Sequence, residues 1–523
     1  MYGEARIQRR RLSRSRRNVA LATAVAGLST LSATAGGGLV NAGGSATSDV
    51  AEWVDEVDPS TVVDQSTDCM AGASDVAFYR GDRIVLRSGM SDAAARTAVN
   101  NALHWIYGGP SVSWATTVER ITFPQPPSGP GIKPVLSVSL SPRTDGAPHP
   151  VVKLARRLWH EPGVEAGPDY VMAPSTPYTA FWPNGDPEKT STLTPPRTNV
   201  TPGGLPVGTG TVIRVYDVGL APRGPGVLPN VSTLSTADNE LIDRNGDIIV
   251  DYPPAGHGLA IGGVISTLVP GAAVVEARIS DRNGLATDVS AARRIADSLR
   301  NTPRQNWPSV VVNAYGSVAC DFEPTAPGEQ LEPVGLKAVV EVTDRFDPIQ
   351  PDGLLLVASA GNQNSSRETY PAAFESVLAV GALDTTIDAD GSPWSSPTRT
   401  GPKAEFSNHG DWVDAWTSGV ALPTVHITGA AFQKNSPVLM GKAKVSGTSF
   451  AAPAVVSLIA EQMSITGLDS RDAWELIADQ GAAPLAECGA SPSSAPSGVA
   501  VALASMSPTV TATTPGSGNP IPC

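Results

Sequence analysis

Aromatic residues make up only 5% of this 523-residue chain, which also holds just 6 His and 4 Cys. So few cysteines exclude a small disulfide-stapled scaffold, and 41% apolar residues supply a conventional core instead. Cys69, Cys320, Cys488 and Cys523 lack metal-ligand spacing, which leaves at most two disulfides and three connectivities. Cys320 with Cys488 closes a long loop and is the expected pairing; Cys488 with Cys523, which ties down the C-terminal tail, is its rival. Basic residues are scarce too, with 37 Lys and Arg against 50 Asp and Glu. Residues 1–35 carry seven Arg and one Glu, so the remainder has 30 basic residues against 49 acidic, a balance of −19. A surface that acidic excludes nucleic acid as a partner. The chain has one long apolar run near its start, Val19 to Leu31, behind the arginines and ahead of Ala33-Thr34-Ala35. That pattern predicts a signal peptide over 1–35. The product is expected to be secreted, without a stable membrane span once the signal is removed; association with the cell envelope stays open.

What is abundant is Gly, 51, and Pro, 47, the residues of turns and long loops. Residues 36–76 are Gly/Ser/Ala-rich and read as a flexible N-terminal segment. Residues 77–172 read as a folded unit. Its strands fall near Val76–Tyr79, Arg83–Arg87, Val118–Phe123, Val135–Leu140 and Gly163–Val171, with helices at Asp92–Tyr107 and Val151–His160. Two strand–helix–strand halves predict a small ferredoxin-like α+β domain. Residues 173–204, rich in Pro, Thr and Gly, form a linker, and 488–523 a Ser/Pro/Thr/Gly-rich tail. Between them, 205–487 alternates apolar strands (211–216, 273–279, 310–312, 354–358, 377–380) with helices (257–268, 288–300, 336–346). Continuously apolar strands alternating with helices predict an α/β fold, a parallel sheet with helices on both faces. Active sites of such sheets lie at the carboxyl ends of strands.

Four stretches carry chemistry. Asp217 ends an apolar strand, His257 lies between two glycines at a helix start, and Asn362 follows Ala358-Ser359-Ala360-Gly361 after a strongly apolar strand. Ser449 sits in Val445-Ser446-Gly447-Thr448-Ser449-Phe450-Ala451-Ala452-Pro453, at the edge of a helix running from Phe450 to Met463. Singly these read as a turn, a structural His, a Gly-Asn turn and an N-cap. Together they stand in the chain order Asp, His, Ser, and a serine at a helix N-terminus suits a nucleophile that generates an oxyanion.

This constellation, above all Gly447-Thr448-Ser449-Phe450-Ala451-Ala452-Pro453, resembles the subtilisin-like serine proteases, the subtilases. The resemblance implies a subtilisin-like serine endopeptidase in which Ser449 is the nucleophile, His257 the base, Asp217 its orienting acid and Asn362 an oxyanion donor. It implies a substrate cleft walled by Ala314-Tyr315-Gly316 and Ala358-Ser359-Ala360-Gly361, with Gln363 at the pocket floor and polypeptides as substrates. Leu136-Ser137-Val138-Ser139-Leu140 and the run from Pro162 to Val171 make 77–172 similar to the family's propeptide. That unit is then expected to be an intramolecular inhibitor, released by a cut between Val171 and Pro206. Val218 and Leu259 stand where the family has hydroxyl residues, and Val312-Asn313-Ala314-Tyr315-Gly316 fits the usual cleft-wall pattern imperfectly. An inactive peptide-binding relative and an ester hydrolase are the rival readings. No cofactor is required, but Asp243-Arg244-Asn245-Gly246-Asp247, with Asp251 nearby, offers either a Ca²⁺ loop or a plain hairpin turn.

Overall fold

The computed structural model describes most of residues 77–174 and 198–480, with Val57, Thr61–Val63, a few residues between 188 and 196, and Val499–Ala500. Loops at 109–111, 127–129, 222–227, 241–246, 251–253, 346–353, 385–402 and 433–435, and a few single residues or pairs, lie outside that description. So do residues 1–56, and with them the expected signal peptide, and most of the tail. Everything described belongs to one unit, Val54–Cys523.

The N-terminal part runs β1 (Val62–Val63), β2 (Tyr79–Arg87), α1 (Asp92–Tyr107), β3 (Ala115–Ile121), β4 (Val135–Leu140), α2 (Val151–Trp159) and β5 (Glu165–Pro174). Helix α1 starts where Ser91 Oγ accepts from Ala94 N at 3.2 Å and ends at Gly108, whose φ of 62° stops the coil. The strands pair antiparallel in the order β5-β2-β4-β3. Leaving the short β1 aside, the order along the chain is β-α-β-β-α-β, the expected one. Two boundaries differ. The strands read separately at Val76–Tyr79 and Arg83–Arg87 are one nine-residue strand, because Gly81 is no turn: Pro148 and Val63 pack where its Cβ would stand. Within 36–76, expected to be flexible, Val57 N donates to Asp281 Oδ2 at 3.0 Å and β1 pairs with β2.

The larger part begins with β6 (Glu188–Lys189), β7 (Val212–Asp217), β8 (Val231–Thr233), α3 (His257–Leu268), β9 (Ala273–Arg278), β10 (Ala286–Thr287) and α4 (Asp288–Asn301). There follow β11 (Val310–Asn313), β12 (Tyr315–Val318), β13 (Asp321–Glu323), β14 (Ala326–Gln330), α5 (Val334–Arg345), β15 (Leu355–Ser359), β16 (Thr369–Tyr370) and β17 (Leu378–Leu383). The chain closes with β18 (Ala415–Ser418), β19 (Leu422–Thr428), β20 (Met440–Val445), α6 (Thr448–Thr466), α7 (Ser470–Gln480) and β21 (Val499–Ala500). Eight parallel strands, β21-β18-β17-β15-β11-β7-β9-β8, make the central sheet. Val310, Val312, Val357 and Val380 are fully buried, as strands covered on both faces require. Helix α6 is buried from Thr448 to Glu461 and packs against α3 and the sheet. Among the described residues no single helix is long and apolar enough to cross a membrane.

The two parts share a sheet. Strand β5 pairs antiparallel with β10, Val171 facing Thr287 and Met172 facing Ala286. It pairs with β12 as well, Ala173 facing Gly316 and Pro174 facing Tyr315. The linker is expected from 173, whereas Ala173 and Pro174 complete this pairing.

Candidate active site

Strand β7 ends on Asp217, which is fully buried. Its carboxylate accepts the backbone N–H of Val218 at 2.8 Å and faces His257 Nδ1 at 2.9 and 3.0 Å through its two oxygens. His257 is the first residue of α3 and is itself fully buried. The approach depends on glycine: a Cβ on Gly258 would stand 2.3 Å from the carbonyl oxygen of Gly219. Only bare backbone lets the turn after Asp217 come this close to the helix that carries His257. Glu240, also buried, accepts Gly256 N through both carboxylate oxygens at 3.0 and 3.1 Å and so pins the residue before His257.

Ser449 is the second residue of α6. The helix N-cap is Gly447, whose φ of 150° is a conformation other residues rarely adopt. Phe450 packs its ring on His257, centroids 5.1 Å apart, which brings the start of α6 against the imidazole. A Cβ on Gly447 would lie 3.4 Å from both Ser449 Oγ and Asn362 Nδ2, so these two atoms flank one small space. The Asn362 amide has a fixed sense. Its Oδ1 accepts from Thr448 N and Thr448 Oγ1, both at 2.9 Å, while its Nδ2 is buried with no hydrogen-bond acceptor among the described residues.

The surroundings of this group are buried as well. His426, on β19, lies fully buried against Gly256, and its pKa is pushed down to about 3 by burial first and the neighbouring His257 second. It is neutral at pH 7, so it adds no positive charge beside His257. Val218 and Leu259 are buried. Val218 still holds one side of the Asp217 carboxylate, through its backbone N–H rather than a hydroxyl.

The expected cleft walls lie along strand edges. Tyr315 and Gly316 belong to β12 and pair with β5, whereas Ala314 is fully buried just before that strand. The Tyr315 side chain is buried as well and donates to Gly284 O at 3.0 Å, so backbone rather than ring forms this edge. Ala358 and Ser359 end β15, and Ala360 and Gly361 lead to Asn362. Gln363, expected at a pocket floor, accepts at Oε1 from Asn408 Nδ2 at 2.9 Å. Four residues that sequence reasoning missed surround the site: Glu240, Asn408, His426 and Thr448. Only Thr448 carried a signal, as the residue before Ser449.

The Ca²⁺ loop expected at 243–247 with Asp251 lies almost wholly outside the described residues. Asp247 is described, and its Oδ1 accepts Ile249 N at 2.9 Å. Among the described residues no group of three or more His, Cys, Asp or Glu is arranged to hold a metal. Cys320 is disulfide-bonded. Cys69, Cys488 and Cys523 all lie outside the described residues, and so does the partner expected at Cys488.

A family model described as the subtilase family matches residues 208–474. The thermophilic serine proteinase of Bacillus sp. (strain AK1) is 28% identical over 347 residues, 63% of this chain and 71% of that protein. The thermostable alkaline protease of Halalkalibacterium halodurans is 24% identical over 262 residues, 48% of this chain and 56% of the relative. The crystal structure of fervidolysin from Fervidobacterium pennivorans, a keratinolytic enzyme related to subtilisin, is 16% identical with a TM-score of 0.47. That likeness covers 83% of this chain and 62% of the other.

Proposed function

The chain belongs to the subtilase family and is a serine-type endopeptidase, and from that premise we propose that Asp217, His257 and Ser449 are its triad and Asn362 its oxyanion donor. In this reading Ser449 Oγ attacks the carbonyl carbon of a peptide bond while His257 takes its proton. Asp217 holds the Nδ1 side of the ring and stabilises the imidazolium that forms. The oxyanion receives hydrogen bonds from Asn362 Nδ2 and the Ser449 N–H. His257 then gives its proton to the leaving amine, and water releases the acyl group by the same steps in reverse. The observation that carries this reading is the Asn362 amide, whose oxygen is bound twice while its buried nitrogen stays available beside Ser449.

The N-terminal domain is read as an inhibitory propeptide of a secreted zymogen. Support comes from β5, which adds to β10 and β12 as an extended antiparallel strand, the way a polypeptide substrate would. Ser449 is 1% exposed in this structure, which fits a site that is covered before processing. Self-cleavage between Val171 and Pro206 is the step proposed to provide that release. Since the Gln363 amide is neutral and engaged by Asn408, uncharged side chains are expected before the scissile bond.

A fluorophosphonate probe tests the nucleophile. The processed protein should carry the adduct on the peptide containing Ser449 and hydrolyse peptide anilides, and Ser449→Ala should lose both. Folded, processed protein that stays unlabelled would instead favour the inactive peptide-binding reading. Turnover of esters without peptides would favour the ester hydrolase.

A further inference from the structure

The loop that carries Asn362 lies outside the sheet. After Ala360 N donates to Val380 O at 2.9 Å, residues 361–365 have no strand to satisfy their backbone groups. Buried backbone polar groups need partners. Here one distant side chain supplies two of them, accepting from Gln363 N and Ser365 N.

Asn408 is 1% exposed and brackets Asn362 on both sides. Its Nδ2 donates to Ala360 O at 3.0 Å, Gln363 Oε1 at 2.9 Å and Thr369 Oγ1 at 3.1 Å. Its Oδ1 accepts Gln363 N at 2.8 Å and Ser365 N at 3.1 Å. Its own backbone N–H donates to Gly361 O at 2.9 Å. Two neighbouring backbone bonds complete the pad, Asn364 N to Phe406 O at 2.7 Å and His409 N to Ser365 O at 2.9 Å. From the opposite side Thr448 fixes the Asn362 amide, and its Oγ1 accepts Gly361 N at 3.1 Å.

We infer that Asn408 is a positioning residue for the oxyanion donor: it holds the backbone on both sides of Asn362 so that Nδ2 stands where the oxyanion forms. The inference rests on the role proposed above for Asn362. Thr448 sets which way the amide faces, and Asn408 sets where the amide is. Hydrogen bonds to a developing charge depend steeply on distance, and a misplacement of about 1 Å can cost roughly a hundredfold in rate. The hydrogen bonds of the Asn408 side chain go to Ala360, Gln363, Ser365 and Thr369 rather than to Ser449, so its effect should fall on the transition state rather than on substrate binding.

The test is a double-mutant cycle on the full chain as expressed and processed, with active enzyme counted by titrating Ser449 to completion. Asn408→Ala should lower kcat on a peptide anilide about ten- to a hundredfold with KM within about twofold. Inhibition by a peptidyl aldehyde should weaken in parallel with kcat. Asn362→Ala should cost about a hundred- to a thousandfold. In the double variant the Asn408 effect should vanish, because it acts through Asn362. Asn408→Asp keeps the shape and the acceptor but loses the donors, and serves if the alanine variant fails to fold. It should show the same kcat loss and the same non-additivity. Losses that multiply in the double variant, a change confined to KM, or unchanged kcat in a folded Asn408 variant would overturn the inference. An Asn362→Ala variant with unchanged kcat would sink the Asn362 role itself and the inference with it.

Discussion

At the scale of single residues the site works by denying alternatives. His257 Nδ1 faces both oxygens of a fully buried carboxylate, so the tautomer carrying its proton on Nδ1 is favoured, which leaves Nε2 unprotonated as the proposed base requires. Asp217→Asn preserves the shape but also accommodates the other tautomer. Its kcat should fall by roughly 10⁴-fold with KM little changed, as measured on a peptide anilide. A loss under tenfold would mean that Asp217 does not orient the base. The residues missed in the sequence share a property. Asn408 acts through backbone groups some 40 or more positions away, and His426 through burial against Gly256. Neither role leaves a local pattern to read. Asp217, His257 and Ser449 stand out in the sequence only as a set, by their chain order and the resemblance of the stretch around Ser449, since each alone reads as a turn, a structural His or an N-cap.

At the scale of elements, the meeting of the two parts centres on the first turn of α4. Asp169, on β5 and fully buried, accepts Val289 N at 3.0 Å and caps that helix. Asp288, next in line and also buried, accepts Gly335 N and Leu336 N, each at 2.7 Å, and caps α5. Burial raises the pKa of Asp169; Arg83, the Val289 amide, Arg80 and Thr287 oppose it. Burial pushes Asp288 up to about 7, with Asp169 adding repulsion and the Gly335, Leu336 and Val334 amides opposing. A carboxyl group whose pKa is raised in the folded state binds its proton more tightly there. Its contribution is therefore fully present below the ordinary carboxylate range and is lost as pH rises toward about 7. The Ser449→Ala full chain should then melt at progressively lower temperature between about pH 4 and about pH 7, and Asp169→Asn should flatten that slope. Equal slopes in the two proteins would show that the pair does not couple the parts. Helices α1 and α3 were legible almost to the residue, because a Ser cap and a Gly stop frame the first and small apolar residues fill the second. The pairing of β5 with β10 and β12 was not. Two- and four-residue strands carry little pattern, and their partner lies over 100 positions away.

At the scale of the whole molecule, the N-terminal domain and the protease part share one sheet and a charged seam. Arg87 pairs with Glu341, Lys337 with Glu165 at 3.2 Å, and Arg293 with Glu119. Tyr170 donates to Leu331 O at 2.7 Å and accepts Cys320 N at 3.0 Å. Parallel sheets depend on non-local pairing and form slowly, so a pre-folded partner along β10, α4 and α5 should speed refolding. Refolding of the processed protease should be slower than that of the Ser449→Ala full chain under the same conditions. Equal rates would remove the assisting role. The central claim is that this chain cuts itself free of its own inhibitor with Ser449. Its most direct measurement is the mass and N-terminal sequence of the fragments formed by purified wild type and Ser449→Ala, each made in a protease-free expression system. Wild type should give two fragments joined at one bond between Val171 and Pro206, and Ser449→Ala should remain a single chain across that stretch. The same bond cut at the same rate in both proteins would contradict the account.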